Sequence, residues 1–408
     1  MSEIDRSRAA RLMGEAGVDV LVLSAPEAFS TVTGASPGVP ALFRRAGAAM
    51  AVLPADPAAP LAAVVTDLFA PGVAAAGVGD VRDHSSWIEA VALGEGMPLA
   101  EAVEAATVHR GRDFVRPSTF DSAVAFGHLV DILAERGLCG ATIGLDLDFW
   151  PAIDLAALEP LLPHARLVDG SLLFDRIRAV KTPQAIARLT TAAQLAEAGV
   201  LAIFRDVAEG MTRQAIVDLW SAGVDSEAAR RGLPPPRRAE YVAFGTDPWS
   251  DGDLLSRGDI LKIDVGCMIG GHLSDCARTV AFGAPLPRAA AIHAALLEGF
   301  EAGRALLKPG VPLCEIHAAT TRAVRAAGIP TWTRGHVGHG LGAGVFGEMW
   351  PFLSAETQDV AEPGMVLAFE APFYADGEGG FIIEDQFVVT ETGAEPAWTL
   401  PHDLAVVG

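Results

Sequence analysis

The sequence predicts an α/β (α+β) protein of two domains, and three observations carry that expectation. Short apolar runs alternate with helix-like segments through roughly the first 170 residues, the pattern of an α/β layer. Two long amphipathic segments follow, through about Arg231. Beyond them, two pairs of apolar runs, each closed on a glycine-bearing turn, read as antiparallel hairpins.

Taken in order, Ser7–Ala16 is helix-like and VDVLVL (Val18–Leu23) reads as a buried strand. AAMAVLPAD and LAAVVTDLF are two more strands around a turn rich in Pro54, Asp56, Pro57 and Pro60. Helical material near Asp121–Arg136, a strand at Thr142–Asp148, a helix at Pro151–Leu162 and the run RLVDGS complete the first domain. No GxGxxG follows the first strand, which disfavours dinucleotide binding. Phe174–Pro183 reads as a linker. After the two long helices, the proline-rich GLPPPRRAEY reads as a loop entering the strand YVAFG. The second domain continues with the first hairpin, a helix from about Arg288 to Leu307, another ending near Ala327, and a glycine-rich loop around His339.

The chain has 408 residues, half of them hydrophobic, and a net charge of −21 with only three lysines. So acidic a surface is a poor match for nucleic acid, whose phosphates need clustered Lys and Arg. Cys139, Cys267, Cys276 and Cys314 lack CxxC spacing and read as reduced. The polar start, MSEIDRSRAARLMGEAG, and the lack of an unbroken apolar run of about eighteen residues lead us to expect a cytoplasmic protein outside the membrane.

Chemistry concentrates between Asp264 and Glu384. In ILKIDVGCMIGGHLSDCARTVAFG, a two-residue turn at Ile269 and Gly270 would set Asp264 directly opposite Asp275. In the second hairpin, a three-residue loop at Asp376, Gly377 and Glu378 sets Glu370 opposite Glu384. Like charges directly opposed destabilise a sheet, so two facing carboxylate pairs in apolar strands call for cations between them. His339, in GHVGHGLGAG, adds an imidazole from a glycine-rich turn whose backbone can approach an ion closely. Four hard oxygen donors and one nitrogen suit Mn²⁺, Co²⁺, Fe²⁺ or Zn²⁺. Two such ions about 3.5–4 Å apart would activate a water.

In the order Asp, Asp, His, Glu, Glu, with separations of 11, 64, 31 and 14, these five residues resemble the dinuclear metal set of the pita-bread metallopeptidases. The short last gap is similar to prolidase and aminopeptidase P; creatinase is a relative that has lost the metals. LFDRIRAVKTPQAIARLTTAAQLAEAGVLAIFRDVAEGMTRQAIVDLW resembles the family's helices, with Lys181, Pro183, Gly210 and Met211 at matching places, and DVLVLSAPEAFSTVTGA resembles the opening of its companion domain. The resemblance implies a creatinase-like N-terminal α/β domain over residues 1–173 and a pita-bread catalytic domain with a curved antiparallel sheet over 174–408. It implies two divalent ions, Mn²⁺ foremost, on Asp264, Asp275, His339, Glu370 and Glu384, with Glu370 moving the water's proton. It also implies a homodimer whose first domain covers the partner's site.

Three family groups are replaced. The histidine expected seven residues past His339 is Phe346, the one about seventeen residues before Asp264 gives way to FGTDPWSDG with Asp247 and Trp249, and the arginine two residues before Glu384 is Ile382. These groups bind the peptide in the family, so Phe346, Trp249 and Ile382 point to a less polar or differently shaped pocket. Lys262, two residues before Asp264 and on its face, is expected to hold a substrate carboxylate or to neutralise Asp264. Thr279 matches a family threonine that supports the metals. His336 reads as a proton shuttle, a substrate hydrogen bonder or a loop histidine, and His272 as a surface residue. The expected function is hydrolysis of a C–N bond in a small amide. The alternatives are Xaa-Pro dipeptide cleavage, a lyase that abstracts a proton beside a carbonyl, and a metal-free creatinase-like or binding protein.

Overall fold

Continuous apolar runs form strands buried on both faces, and the first 177 residues show why. In this computed structural model, which describes residues 2–108, 113–249, 254–344 and 347–408, contacts divide the chain into Met1–Ile177 and Arg178–Gly408. The first unit carries strands β1 (Val20–Leu23), β2 (Ala49–Pro54), β3 (Ala62–Thr66), β4 (Asp80–His84), β5 (Thr142–Leu145) and β6 (Arg166–Asp169). They form one mixed sheet in the order β4-β3-β2-β1-β5-β6. Leu21 and Leu23 enter one core with the helices Arg6–Ala16 and Pro26–Thr33, and Val20 and Val22 enter another with the helix Ser122–Glu135. Helices on both faces explain why β1 is apolar at every position.

The second unit is a ten-stranded sheet under two helix pairs. Its strands are β7 (Arg237–Phe244), β8 (Ile260–Ile269), β9 (His272–Leu273), β10 (Cys276–Phe282), β11 (His336–Gly340), β12 (Met349–Ser354), β13 (Val366–Ala375), β14 (Gly379–Val389), β15 (Ala394–Pro396) and β16 (Ala405–Val407). The main path runs β12-β11-β13-β14-β10-β8-β7, antiparallel throughout. Helices Pro183–Asp206 and Arg213–Arg230 cover Leu261, Ile263, Val265 and Val280, while Pro287–Arg304 and Leu313–Ala326 cover Leu367, Phe369, Ala371 and Ile383. Thr182 and Thr212 cap the first two helices through their hydroxyls. Pro183–Asp206 is long and apolar enough to cross a bilayer, but 56% of its apolar window is buried inside the molecule, as in a core helix. Because strand side chains alternate, the residues between these core positions, Asp264, Glu370 and Glu384 among them, face away from the helices.

Several expectations need correction. The first hairpin turns at Gly270–Gly271, not at Ile269–Gly270: Ile269 pairs with His272, and Asp264 lies opposite Ala277 rather than Asp275. Both turn residues have positive φ, 56° and 85°, as a tight hairpin turn demands, and only the glycine pair supplies that cheaply. The slip is two positions, so period-two alternation keeps Asp264 and Asp275 on one face. His339 lies in β11 and not in a turn. His272, expected at the surface, is 2% exposed, its Nδ1 3.2 Å from the Gly270 carbonyl. Much of the expected linker belongs to the helix Ser171–Ala179, and β7 begins at Arg237, inside the expected loop.

Candidate metal centre

Five separate stretches of the sheet each deliver one predicted ligand. β8 carries Asp264, the segment leading into β10 carries Asp275, β11 carries His339, and β13 and β14 carry Glu370 and Glu384, which pair directly across the ladder as the three-residue loop requires. Gly338 lets β11 present its histidine. Val337 sits in the helix-side core while His339 lines up with Ala368 on the other face, and between them Gly338 has φ 145°. A Cβ on Gly338 would fall 2.2 Å from the Ala368 carbonyl oxygen, so no other residue fits.

Ligand atoms of Asp275, His339 and Glu384 lie within 4.8 Å of one another. His339 Nε2 stands 4.0 Å from Asp275 Oδ2 and 3.9 Å from Glu384 Oε1. These separations are too long for hydrogen bonds, yet two atoms each roughly 2.1 Å from one ion can stand up to about 4.2 Å apart. The His339 Nδ1, 3.2 Å from the Gly340 carbonyl, fixes the ring so that Nε2 points inward. Burial holds that imidazole down to about 4, in its neutral, ligating form.

The carboxylates are under charge stress. Burial first, and then one another's charge, pushes Asp275 and Glu384 well above the usual carboxylate range. Burial likewise raises Asp264, against the pull of Lys262, and lifts Glu370 to about 7. Four crowded acids, Glu370 and Glu384 buried and Asp264 and Asp275 half-buried, cannot all ionise together and form a donor set that fits divalent cations, because positive charge removes the penalty.

Thr279 clamps β14. Its hydroxyl donates to the Ile382 carbonyl (2.9 Å) and accepts from the Ile382 amide (2.7 Å), two residues before Glu384. Ile382 itself is 2% exposed. On the opposite face, Arg278 donates to the Glu384 carbonyl at 2.8 Å and pairs with Asp385 at 2.9 Å, both side chains buried. Arg278→Met should therefore cost about 3–5 kcal/mol, because Asp385 loses its guanidinium; denaturant melts of both proteins measure it.

Of the other predicted residues, His336 is brought to the site: its Nδ1 stands 3.7 Å from Glu370 Oε1 and its ring lies against Phe352. Trp249 is 57% exposed and packs on Tyr374, with ring centroids 4.6 Å apart. Lys262 is 1% exposed, so it lines no open pocket. Phe346 lies outside the described residues. Sequence reasoning missed Arg334, whose Nη2 donates to Glu370 Oε1 at 3.1 Å. It also missed Glu348, 3.5 Å from His336 Nε2, whose charge bears on Asp264, Asp275 and Glu370. Counting seven residues past His339 led to Phe346, whereas the acid that reaches His336 comes nine past. Gly347 closes the loop against the centre: a Cβ there would sit 2.6 Å from Asp275 Oδ2. Gly347→Ala should weaken Mn²⁺ binding by about 10–100-fold while leaving the melting temperature of the metal-free protein nearly unchanged, as calorimetry can test.

Residues 187–391, about half of the chain, match the pattern of metallopeptidase family M24. The chain belongs to that family. Members are metallohydrolases of C–N bonds, and so is this one. Its M24 relatives include the uncharacterized peptidase YqhT of Bacillus subtilis, 28% identical over 257 residues, which span 62% of this chain and 71% of that protein. The Xaa-Pro dipeptidase of Pyrococcus furiosus is 26% identical over 224 residues, 54% of this chain and 63% of that one. The solved structure of the Xaa-Pro dipeptidase from Bacillus anthracis superposes with a TM-score of 0.75, covering 98% of this chain and 99% of that one at 20% identity, a likeness of fold. The N-terminal α/β unit and the antiparallel C-terminal sheet are thus those of a prolidase-like pita-bread protein.

Proposed function

We propose that this M24 chain hydrolyses the C–N bond of a small amide, using two divalent ions held by Asp264, Asp275, His339, Glu370 and Glu384. The carrying observation is the direct pairing of Glu370 with Glu384 beside the convergent trio Asp275, His339 and Glu384. Mn²⁺ suits this donor set first, with Co²⁺, Fe²⁺ or Zn²⁺ as alternatives; such ions supply Lewis acidity that activates water and polarises a carbonyl at neutral pH. Glu370 takes the proton of the attacking water and returns it to the departing nitrogen. Arg334 keeps one Glu370 oxygen in place, leaving the other for proton transfer. His336, with Glu348 and Phe352 beside it, is placed to orient the leaving group. Thr279 holds Glu384 in position through the β14 backbone.

Ile382, itself buried, and the segment with Trp249 stand where the resemblance expects a peptide-binding arginine and histidine, which favours a small amide of other shape. The second reading, Xaa-Pro dipeptide cleavage, is favoured by the names its relatives carry. The deciding assay is turnover of Xaa-Pro dipeptides against non-peptide amides with Mn²⁺ present. Cleavage confined to the dipeptides would displace the first reading, and no hydrolysis of either would sink both. The proposed working form is a homodimer, and a monomer mass in sedimentation at micromolar concentration would remove that part.

A further inference from the structure

Gln386 is fully buried, and neither its Nε2 nor its Oε1 has a hydrogen-bond partner among the described residues. It lies on β14 two residues past Glu384, so alternation puts both side chains on the metal face. Its ladder neighbour on β13 is Ala368, which in turn faces His339 on β11, so His339, Ala368 and Gln386 form one row across three strands. On the other side runs β10. Ala277 pairs with Glu384 there, and two residues further along both chains the antiparallel count sets Asp275, just ahead of β10, opposite Gln386. The Gln386 backbone N–H meets Cys276 Sγ at 3.3 Å, so the two chains are still side by side at that point. Gln386 therefore borders all three members of the trio Asp275, His339 and Glu384. Its remaining surroundings are apolar, a small core of Leu189, Leu341, Val366 and Ala368 with Val388 packed against it.

We propose that Gln386 is a positioning residue of the metal centre, whose side-chain N–H donates to the Asp275 carboxylate when metal is in place and fixes the orientation in which Asp275 meets His339 and Glu384. The inference rests on the metal reading above. An amide without partners in an apolar surround gives up its hydration and regains nothing, and a methionine would fill the same volume without that loss. What the amide offers instead is a neutral donor beside a ligand. A carboxylate that gives lone pairs to an ion keeps others, and these accept an N–H. Being uncharged, Gln386 orients the carboxylate without competing with the ion for it. Ala368, with only a methyl group, leaves the row open between Gln386 and His339.

The test compares the full-length wild type with Gln386→Met, which keeps the length of the side chain and removes its donor. Calorimetric titration of the metal-free proteins with Mn²⁺ reads affinity, and thermal melts of the same preparations without metal read the fold. Gln386→Met should bind Mn²⁺ roughly tenfold or more weakly. Its metal-free form should melt at the wild-type temperature or above it, because an unpaired amide has left an apolar surround. A residue that merely packs would not separate the two readouts. Weaker binding accompanied by a lower melting temperature therefore overturns the proposal, and so does unchanged Mn²⁺ affinity or a variant that fails to fold. Each of those outcomes leaves Mn²⁺ uptake by the wild type intact. No uptake by the wild type would instead sink the metal reading, and this inference with it.

Discussion

Glu370→Gln should lower turnover by about 10²–10⁴-fold while the protein keeps its metal. The side chain is buried, faces Glu384 across the ladder and accepts from Arg334 at 3.1 Å. Glutamine preserves its length and one carbonyl oxygen, so packing and ligation are disturbed little. What it removes is the basic oxygen that receives the water's proton. His336 cannot stand in, because its Nδ1 is 3.7 Å from Glu370 and burial lowers its basicity. Steady-state kinetics and metal analysis on one preparation separate the two effects, and full activity in the variant would remove Glu370 from its role.

Stripped of metal, the fold should be more stable near pH 6.5 than near pH 8. Asp275, Glu384, Asp264 and Glu370 all titrate above their ordinary values in the folded chain, Glu370 at about 7. Between the unfolded value near 4 and the raised folded value, the native state binds more protons than the unfolded one, so stability falls as pH rises through that window. Below about pH 6.5 the buried His339 and His293, both held down to about 4, work in the opposite sense; from about pH 6.5 to pH 8, where they no longer do, the metal-free protein should lose several degrees in melting temperature. Asp275→Asn removes one of the competing charges and should flatten that loss. Saturating Mn²⁺ should also flatten it, by supplying positive charge to the same oxygens. Thermal melts across pH, with and without Mn²⁺, check this; a metal-free protein that gains stability toward pH 8 would contradict it.

How much was legible in the sequence depended on whether the information was local. The Asp376–Glu378 loop fixed the register of β13 and β14, and the pairing of Glu370 with Glu384 follows from loop length alone. The Asp264 hairpin missed by two positions, because any pair in a glycine-containing turn looks serviceable until both central residues must take positive φ. Alternation protected the conclusion that mattered, the shared face of the two aspartates. Arg334 and Glu348 were not legible: each reaches the centre through a connection whose path is set by tertiary packing, so no periodicity marks it. His272 misled for the same reason, since a hairpin-turn histidine looks exposed until neighbouring elements close over it. Lys262 was placed on the right face, but its aromatic roof joins Tyr241 on β7 with Tyr374 on β13, at opposite sides of the sheet's order.

The measurement that tests the central claim most directly is equilibrium dialysis of the metal-free protein against Mn²⁺ to saturation, with the bound ions counted by elemental analysis for the wild type and for His339→Ala. Two ions per chain, with at least one lost in the variant, is the predicted result. No bound ion in the wild type, or undiminished binding without His339, would contradict the account.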